Sequence, residues 1–476
     1  MRIADVSDTE RAVVDAFGAG APVDVRGRQD RMVRGEVIRF LLLGGIAVET
    51  GDLPALRLTG AHITGALELE HADIMAPISL HECRFDERMS VFGSHLRRLS
   101  LDRSVMPGLM ASMATFDASL ELTGCRSVGE ISLVGARIGG AMFLNGAELT
   151  GPVTALDGTW LRVGTDVLAR DGFTGRGALL LDNAEIGGSL RWEGAVLDNP
   201  DGAALSGQDL RVGANVDLCD GFSANGAVRL RYAEVTSRLC FERATLSVPV
   251  GKTALDCRHV VARELVLLPA GPPAGIVDLS HARIGLLRDT AATWPSALRL
   301  DGLTYETMSE HDNRADRLRW LRLDPGGFRP QAYTQLAQVY RSVGRDDDAR
   351  TALLAGERHR RDVLALPGRL WGRLQDLTVG YGYRPVRAAG WLAALLAVGT
   401  VMFGLYPPRA AEPGRGPEFV ASIYTLDLIL PVIDFGQQSA YHPRGASVWL
   451  AYALIAAGVL LVTTIAAAGA RQLRRD

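Results

Sequence analysis

The sequence predicts a mainly β chain: a right-handed β-solenoid with an N-terminal helical cap, followed by an α-helical hairpin and two transmembrane helices. Three observations carry this expectation. An 11-residue period runs through residues 56–305, two apolar runs without charge lie near the end, and arginines cluster on one side of those runs.

The period is plain in LRLTGAHITGA from Leu56, LELEHADIMAP from Leu67 and ISLHECRFDER from Ile78, where apolar or small residues occupy positions 1, 3, 6 and 8. It returns at Ile131 and Met142, at Leu179 and Leu190, at Val228 and Leu239, and at Leu255, Val266 and Val277. An 11-residue repeat also suits a right-handed coiled coil, but glycine is abundant and the apolar residues alternate with polar ones over three residues at a time. Alternation is a strand signal, and the glycines read as corners. The units therefore pair into coils of about 22 residues, roughly eleven of them over 56–305, stacked at ~4.8 Å. Ala61, Ala72, Ala136, Ala147, Ala184 and Ala195 are expected in the tight interior, and each coil is stabilised by its neighbours.

Both ends of such a solenoid are open edges that need covering. Residues 1–55 supply a helical cap, with Ser7 and Glu10 as a capping box and Arg31 to Leu43 as an amphipathic helix. Residues 306–387 form a helical joint in which Tyr333, Leu336, Ala337, Tyr340, Gly344, Ala349 and Leu353 take the offsets of one tetratricopeptide unit. A single unit reads as a spacer, since a peptide groove needs several.

Residues 388–406 and 447–470 carry no charge and are each long enough to cross about 30 Å of hydrocarbon as a helix. Arg358, Arg360, Arg361, Arg369, Arg373, Arg384 and Arg387 precede the first run, and Arg471, Arg474 and Arg475 lie in the basic tail 471–476. Only Arg409, Arg415 and Arg444 fall in the loop 407–446. The expectation is a multi-pass protein of the cell membrane with both termini cytoplasmic. The potassium-filter pentapeptide TVGYG occurs at 378–382, yet it precedes the first run and follows a charged segment, so it reads as a helix break leading into the membrane.

Within the loop, the apolar segment 419–435 holds Asp427, Pro431 and Asp434. A carboxylate at membrane depth is costly and marks function; the plainer expectation is a helix on the outer surface with both aspartates in water. If the segment re-enters the membrane in an oligomer, Asp427 forms a ring of carboxylates favouring cations.

Catalytic signals are sparse. There is no GxGxxG, no CxxC and no CxxCH, and VPVGKTALD around Lys252 lacks the first phosphate-loop glycine, that place being Leu246. His62, His71 and His81 crowd one region, and His259 and His281, one coil apart, should stack; a metal site is not expected, since no third ligand is evident at fixed spacing. Cys83, Cys125, Cys219, Cys240 and Cys257 are scattered, which argues against a disulfide framework or zinc ribbon. No catalytic, cofactor or metal residue is assigned, and no cofactor. A net charge of −3 does not suit a nucleic-acid partner.

VRGEVIRFLLLG, the LxLxGAxIxG units, LQDLTVGYGYRP and YTLDLILPVIDFGQ together resemble a group of actinobacterial membrane proteins labelled "membrane-associated oxidoreductase". The likeness covers nearly the whole chain, and the solenoid itself resembles the pentapeptide-repeat proteins. The label implies redox activity but brings no residue to place it on. The residues suggest instead a membrane-anchored interaction or sensing scaffold with protein partners on the solenoid face. The alternatives are a homo-oligomeric, channel-like or transport protein gated by the solenoid, and the oxidoreductase that the label implies.

Overall fold

The computed structural model describes residues 6–47, 51–309, 313–362, 385–411, 417–430 and 433–473, with side chains omitted for 385–389 and 464–473. The chain divides into two compact units, Met1–Gln335 and Leu336–Asp476.

The first unit is a four-sided parallel β-solenoid. One side runs through twelve rungs, Leu56, Ile78, Leu99, Leu120, Met142, Val167, Leu190, Val216, Leu239, Leu265, Leu287 and Met308, each paired in parallel with the next. Coil length is less even than the repeat suggests, from 21 residues between Leu99 and Leu120 to 26 between Leu190 and Val216. The extra residues bulge at corners inside Glu148–Asp157 and Val196–Ser206, where the ladder register shifts. Stacking then resumes beyond the bulge.

The expected inward set is observed in most units, with two departures: Leu265 takes the inward place beside Leu239 and Leu287, so that Val266, expected to open a unit, faces outward next to Cys240, and Ala72 is only half-buried. Leu67 and Leu69 are buried while Glu68 between them is exposed, and Leu120, Leu122, Cys125 and Ser127 fill one half coil. The sixth position lies where the wall turns and space is short, which is why alanine, serine and cysteine recur there. Burial pushes the Cys83 and Cys125 thiols at this position up to about 12.

The fifth position makes the turn. It has positive φ in every half coil just named: Gly60, His71, Glu82, Gly93, Arg103, Met113 and Gly124 follow one another in this role. The amide at position six closes the turn on the carbonyl of position three, as in Cys125 N to Leu122 O at 3.2 Å, the geometry of a β-turn with a left-handed third residue.

The N-terminal segment departs from expectation. Helix α1 (Asp8–Gly18) has the capping box of Ser7 and Glu10. Val23–Asp24 then pairs with Leu58–Thr59, and Met32–Arg34 with His62–Thr64, so coil pairing begins well before residue 56. The helix expected over Arg31 to Leu43 is confined to α2 (Gly35–Leu42). The open edge of the first full coil takes Met32–Arg34 as a strand, and Glu10 holds it there by accepting from Arg34 N at 3.0 Å and Nε at 2.8 Å.

The other end is closed differently. Asp289 occupies an inward place beyond Leu287 and pairs with Arg317 of α3 (Arg314–Trp320), both buried. Trp294 Nε1 donates to Asp289 at 2.9 Å, and Arg317 lies over the rings of Trp294 and Trp320 at 5.5 and 5.0 Å. At the start of α4 (Pro330–Ser342), Gln331 and Gln335 donate to the carbonyls of Leu303 and Tyr305 on the last coil.

In the second unit, α4 passes through Gly344, at φ 74°, to α5 (Asp346–Asp362). Tyr340, Ala349, Ala352 and Leu353 are buried, in keeping with a helical hairpin. Helices α6 (Pro385–Leu405), α7 (Ala421–Ile429), α8 (Gln437–Ala440) and α9 (Ser447–Leu473) follow. The expected pair of transmembrane helices is not met: among the described residues no helix is long and apolar enough to cross a membrane. The TVGYG segment and Pro431 lie outside the described residues.

Replacing Leu67 or Leu69 by aspartate buries an unpaired charge and should cost several kcal/mol, about 3 or more, whereas Glu68→Lys should stay within about 0.5 kcal/mol. Denaturant unfolding of the three variants checks the register; equal losses at all three positions would contradict it.

Candidate functional site

The solenoid offers regular outer walls, and the most structured stretch of wall lies between Arg229 and Arg329. Successive coils place Asp256 and Asp278 side by side, with Arg231, Arg258 and Arg299 around them. Arg258 donates to both oxygens of Asp256 at 2.9 and 2.7 Å, Arg231 reaches Asp256 at 3.0 Å, and Arg299 reaches Asp278 at 3.1 Å. Both aspartates are buried although they sit on an outer wall. Burial alone would raise the Asp256 carboxyl; the hydrogen bonds from Arg258 and Arg231 outweigh it and hold the group below its ordinary value.

Along the adjoining corner run Tyr232, His259 and His281, stacked at 4.6 and 4.9 Å between ring centroids. All three take the left-handed turn position, so the period alone aligns them. The next coil has Gly302 there, and a Cβ on it would come within 2.1 Å of His281 Nδ1. Beside the stack is an open recess of about 560 Å³, lined by Arg258, His281, Arg299, Asp301, Asp324 and Arg329 among others. The stacking of His259 on His281 agrees with their 22-residue spacing; Tyr232 and the recess have no signature in any one unit and appear only when the coils are superposed.

The other expected histidines do not converge. His62 pairs with Asp86 at 2.6 Å, His71 meets Phe92 edge-on, and His81 bonds Ser100 at 2.9 Å. Lys252 is exposed in a corner bulge where its own N–H closes a turn on Pro249 O; this is a turn, not a phosphate cradle.

The two loop acids have opposite fates. Asp434 is exposed and accepts from Gly436 N at 2.7 Å. Asp427 is buried, and its carboxylate accepts from three backbone amides, Phe435 N at 2.9 Å on Oδ1 and Gln437 N and Gln438 N at 2.9 and 2.7 Å on Oδ2. The expectation of both aspartates in water is thus corrected for Asp427. Helix α7 packs against α6 and α9 through Tyr424, Leu428 and Ile429 with Phe403, Ala451 and Leu454. Glycines permit the approach: a Cβ at Gly399 would come within 2.2 Å of Thr425 Cγ2, and one at Gly458 within 2.2 Å of Ile429 O. Small residues at such crossings let helices pack closely.

Among the described residues one group has metal-ligand geometry, Asp217 with Cys219 and Cys240. The even scatter of cysteines in the sequence concealed it.

The class that these features define is a four-sided parallel β-solenoid joined to a helical unit. Comparison with family models, with curated proteins and with solved structures finds no match.

Asp427→Asn should weaken the bonds that pin 433–438 and destabilise the helical unit by about 1–3 kcal/mol, with Asp434→Asn within about 0.5 kcal/mol; thermal unfolding of the two variants in detergent checks this. Acid stability offers a second test. Because the folded pKa of Asp256 lies below the unfolded value of about 3.9, its contribution is complete above that value and is lost as pH falls from there through the folded pKa. The wild type should therefore lose more stability below about pH 4 than Asp256→Asn does, measured by denaturant unfolding across pH 2–7.

Proposed function

We propose that this protein is a membrane-anchored scaffold whose cytoplasmic solenoid presents an interaction or sensing face to protein partners. The observation that carries the proposal is the wall from Arg229 to Arg329, where ion-paired arginines, a Tyr-His-His stack and an open recess lie together on a regular surface. Extended repeat surfaces suit protein partners, and tyrosine and arginine are over-represented at interfaces. The anchor is supported by the two charge-free runs, the arginine asymmetry, and apolar side chains exposed on the helical unit, including Val398, Val401, Leu405, Trp449 and Val459. Exposed apolar side chains in this number on one small unit favour a lipid or protein neighbour.

The channel-like alternative asks Asp427 to face a pore, while its two oxygens already serve three amides. The oxidoreductase alternative rests on the resemblance alone.

Single cysteines test both halves of the proposal, because the five native ones are buried. In intact cells an impermeant thiol reagent should label Ala446→Cys and miss Val261→Cys, and a photo-crosslinker attached at Val261→Cys in native membranes should capture a protein. Labelling of both positions would remove the topology. Absence of any crosslinked protein from that wall would remove the scaffold.

A further inference from the structure

Three of the five cysteines, Cys83, Cys125 and Cys257, point into the solenoid and serve as small apolar fillers. Cys219 and Cys240 do not. They belong to the outward-facing set of two successive coils, 21 residues apart in sequence. Asp217 is paired across the ladder with Cys240. The two sulfurs and a carboxylate oxygen of Asp217 all lie within 4.8 Å of one another, and the three residues are 3 to 6% exposed. Val266 and Leu268 of the following coil pack against the two cysteines and cover them.

We propose that Asp217, Cys219 and Cys240 form a binding site for one thiophilic divalent cation of the zinc class. Two thiolates and one carboxylate are a donor set that such ions take in tetrahedral coordination, with the fourth position left to water. The surroundings support the set. Arg238 donates to Asp217 Oδ1 at 2.9 Å, which orients the carboxylate and leaves Oδ2 for a metal. Such a donor is the outer-shell partner that holds a metal ligand in place. Charge balances on loading: a dication enters, two thiol protons leave to solvent, and the buried group, counting Arg238, keeps the same net charge. The site is built within the solenoid wall, so it stands or falls independently of the membrane anchor and of the partner face.

The test uses the full chain in detergent with Zn²⁺, Cd²⁺ and Co²⁺ alone as probes. Calorimetry in buffers of different ionisation enthalpy should give one Zn²⁺ per chain with close to two protons released, insensitive to millimolar Mg²⁺. Co²⁺ should produce thiolate charge-transfer absorption with the d–d intensity of a tetrahedral centre. Cys219→Ser/Cys240→Ser should lose the charge-transfer band and the proton release, and Asp217→Asn should weaken Zn²⁺ at least tenfold. Folding of each variant is checked by circular dichroism. A wild type that is folded and reduced, yet shows no thiolate band with Co²⁺ and no Zn²⁺ uptake at micromolar concentration, overturns the proposal, since that result needs no variant. Stoichiometric binding that persists unchanged in the folded double-serine variant also overturns it, by locating the ion elsewhere.

Discussion

The solenoid depends on a backbone constraint repeated in most of its half coils: the fifth residue enters the left-handed region so that the wall can turn. For residues other than glycine that conformation costs roughly 1–2 kcal/mol, and thirteen of them adopt it in the described residues. The cost is tolerated because the turn residue's own amide is used by the next coil, as in Arg103 N to Thr123 O at 2.7 Å and Asp220 N to Glu242 O at 2.8 Å. Without the neighbouring coil the turn would have strain and an unsatisfied donor. With it, each corner fixes the register of the one beside it, and the apolar residues at positions one, three, six and eight fall inside together.

A repeat of this kind has no natural end, and buried carboxylates do the closing. Glu10 joins α1 to the edge strand Met32–Arg34 through Arg34, and Asp289 takes a place inside the stack where an apolar residue would leave nothing to bond α3. In the helical unit, Asp427 gathers the chain beyond α7 by three amides. Each is an acid among apolar neighbours with its charge matched by a guanidinium or by several N–H groups, the condition under which a buried charge is sustainable. The common consequence is that removing the acid releases a chain segment, not a single contact.

The same period that builds the wall creates neighbours. A residue and its counterpart about one coil later become adjacent, which stacks Tyr232, His259 and His281, puts Asp256 beside Asp278, and brings Cys219 to Cys240. Local motifs such as CxxC cannot report such sites, because their spacing is set by coil length, and here coil length varies with the corner bulges.

By itself the sequence determined the solenoid class, most of the inward residues, the capping box at Ser7 and Glu10, and the stacking of His259 on His281. All follow from local periodicity, which one coil already expresses. It did not determine that Met32–Arg34 would be strand, because helical propensity there competes with an open sheet edge that exists only once the first coil has formed. Nor did it place Asp427 out of water, since that depends on glycines at 399 and 458 admitting α7 between two other helices. The cysteine pair and the wall recess were decided by tertiary structure too: they join residues whose separation has meaning only after the chain has been wound.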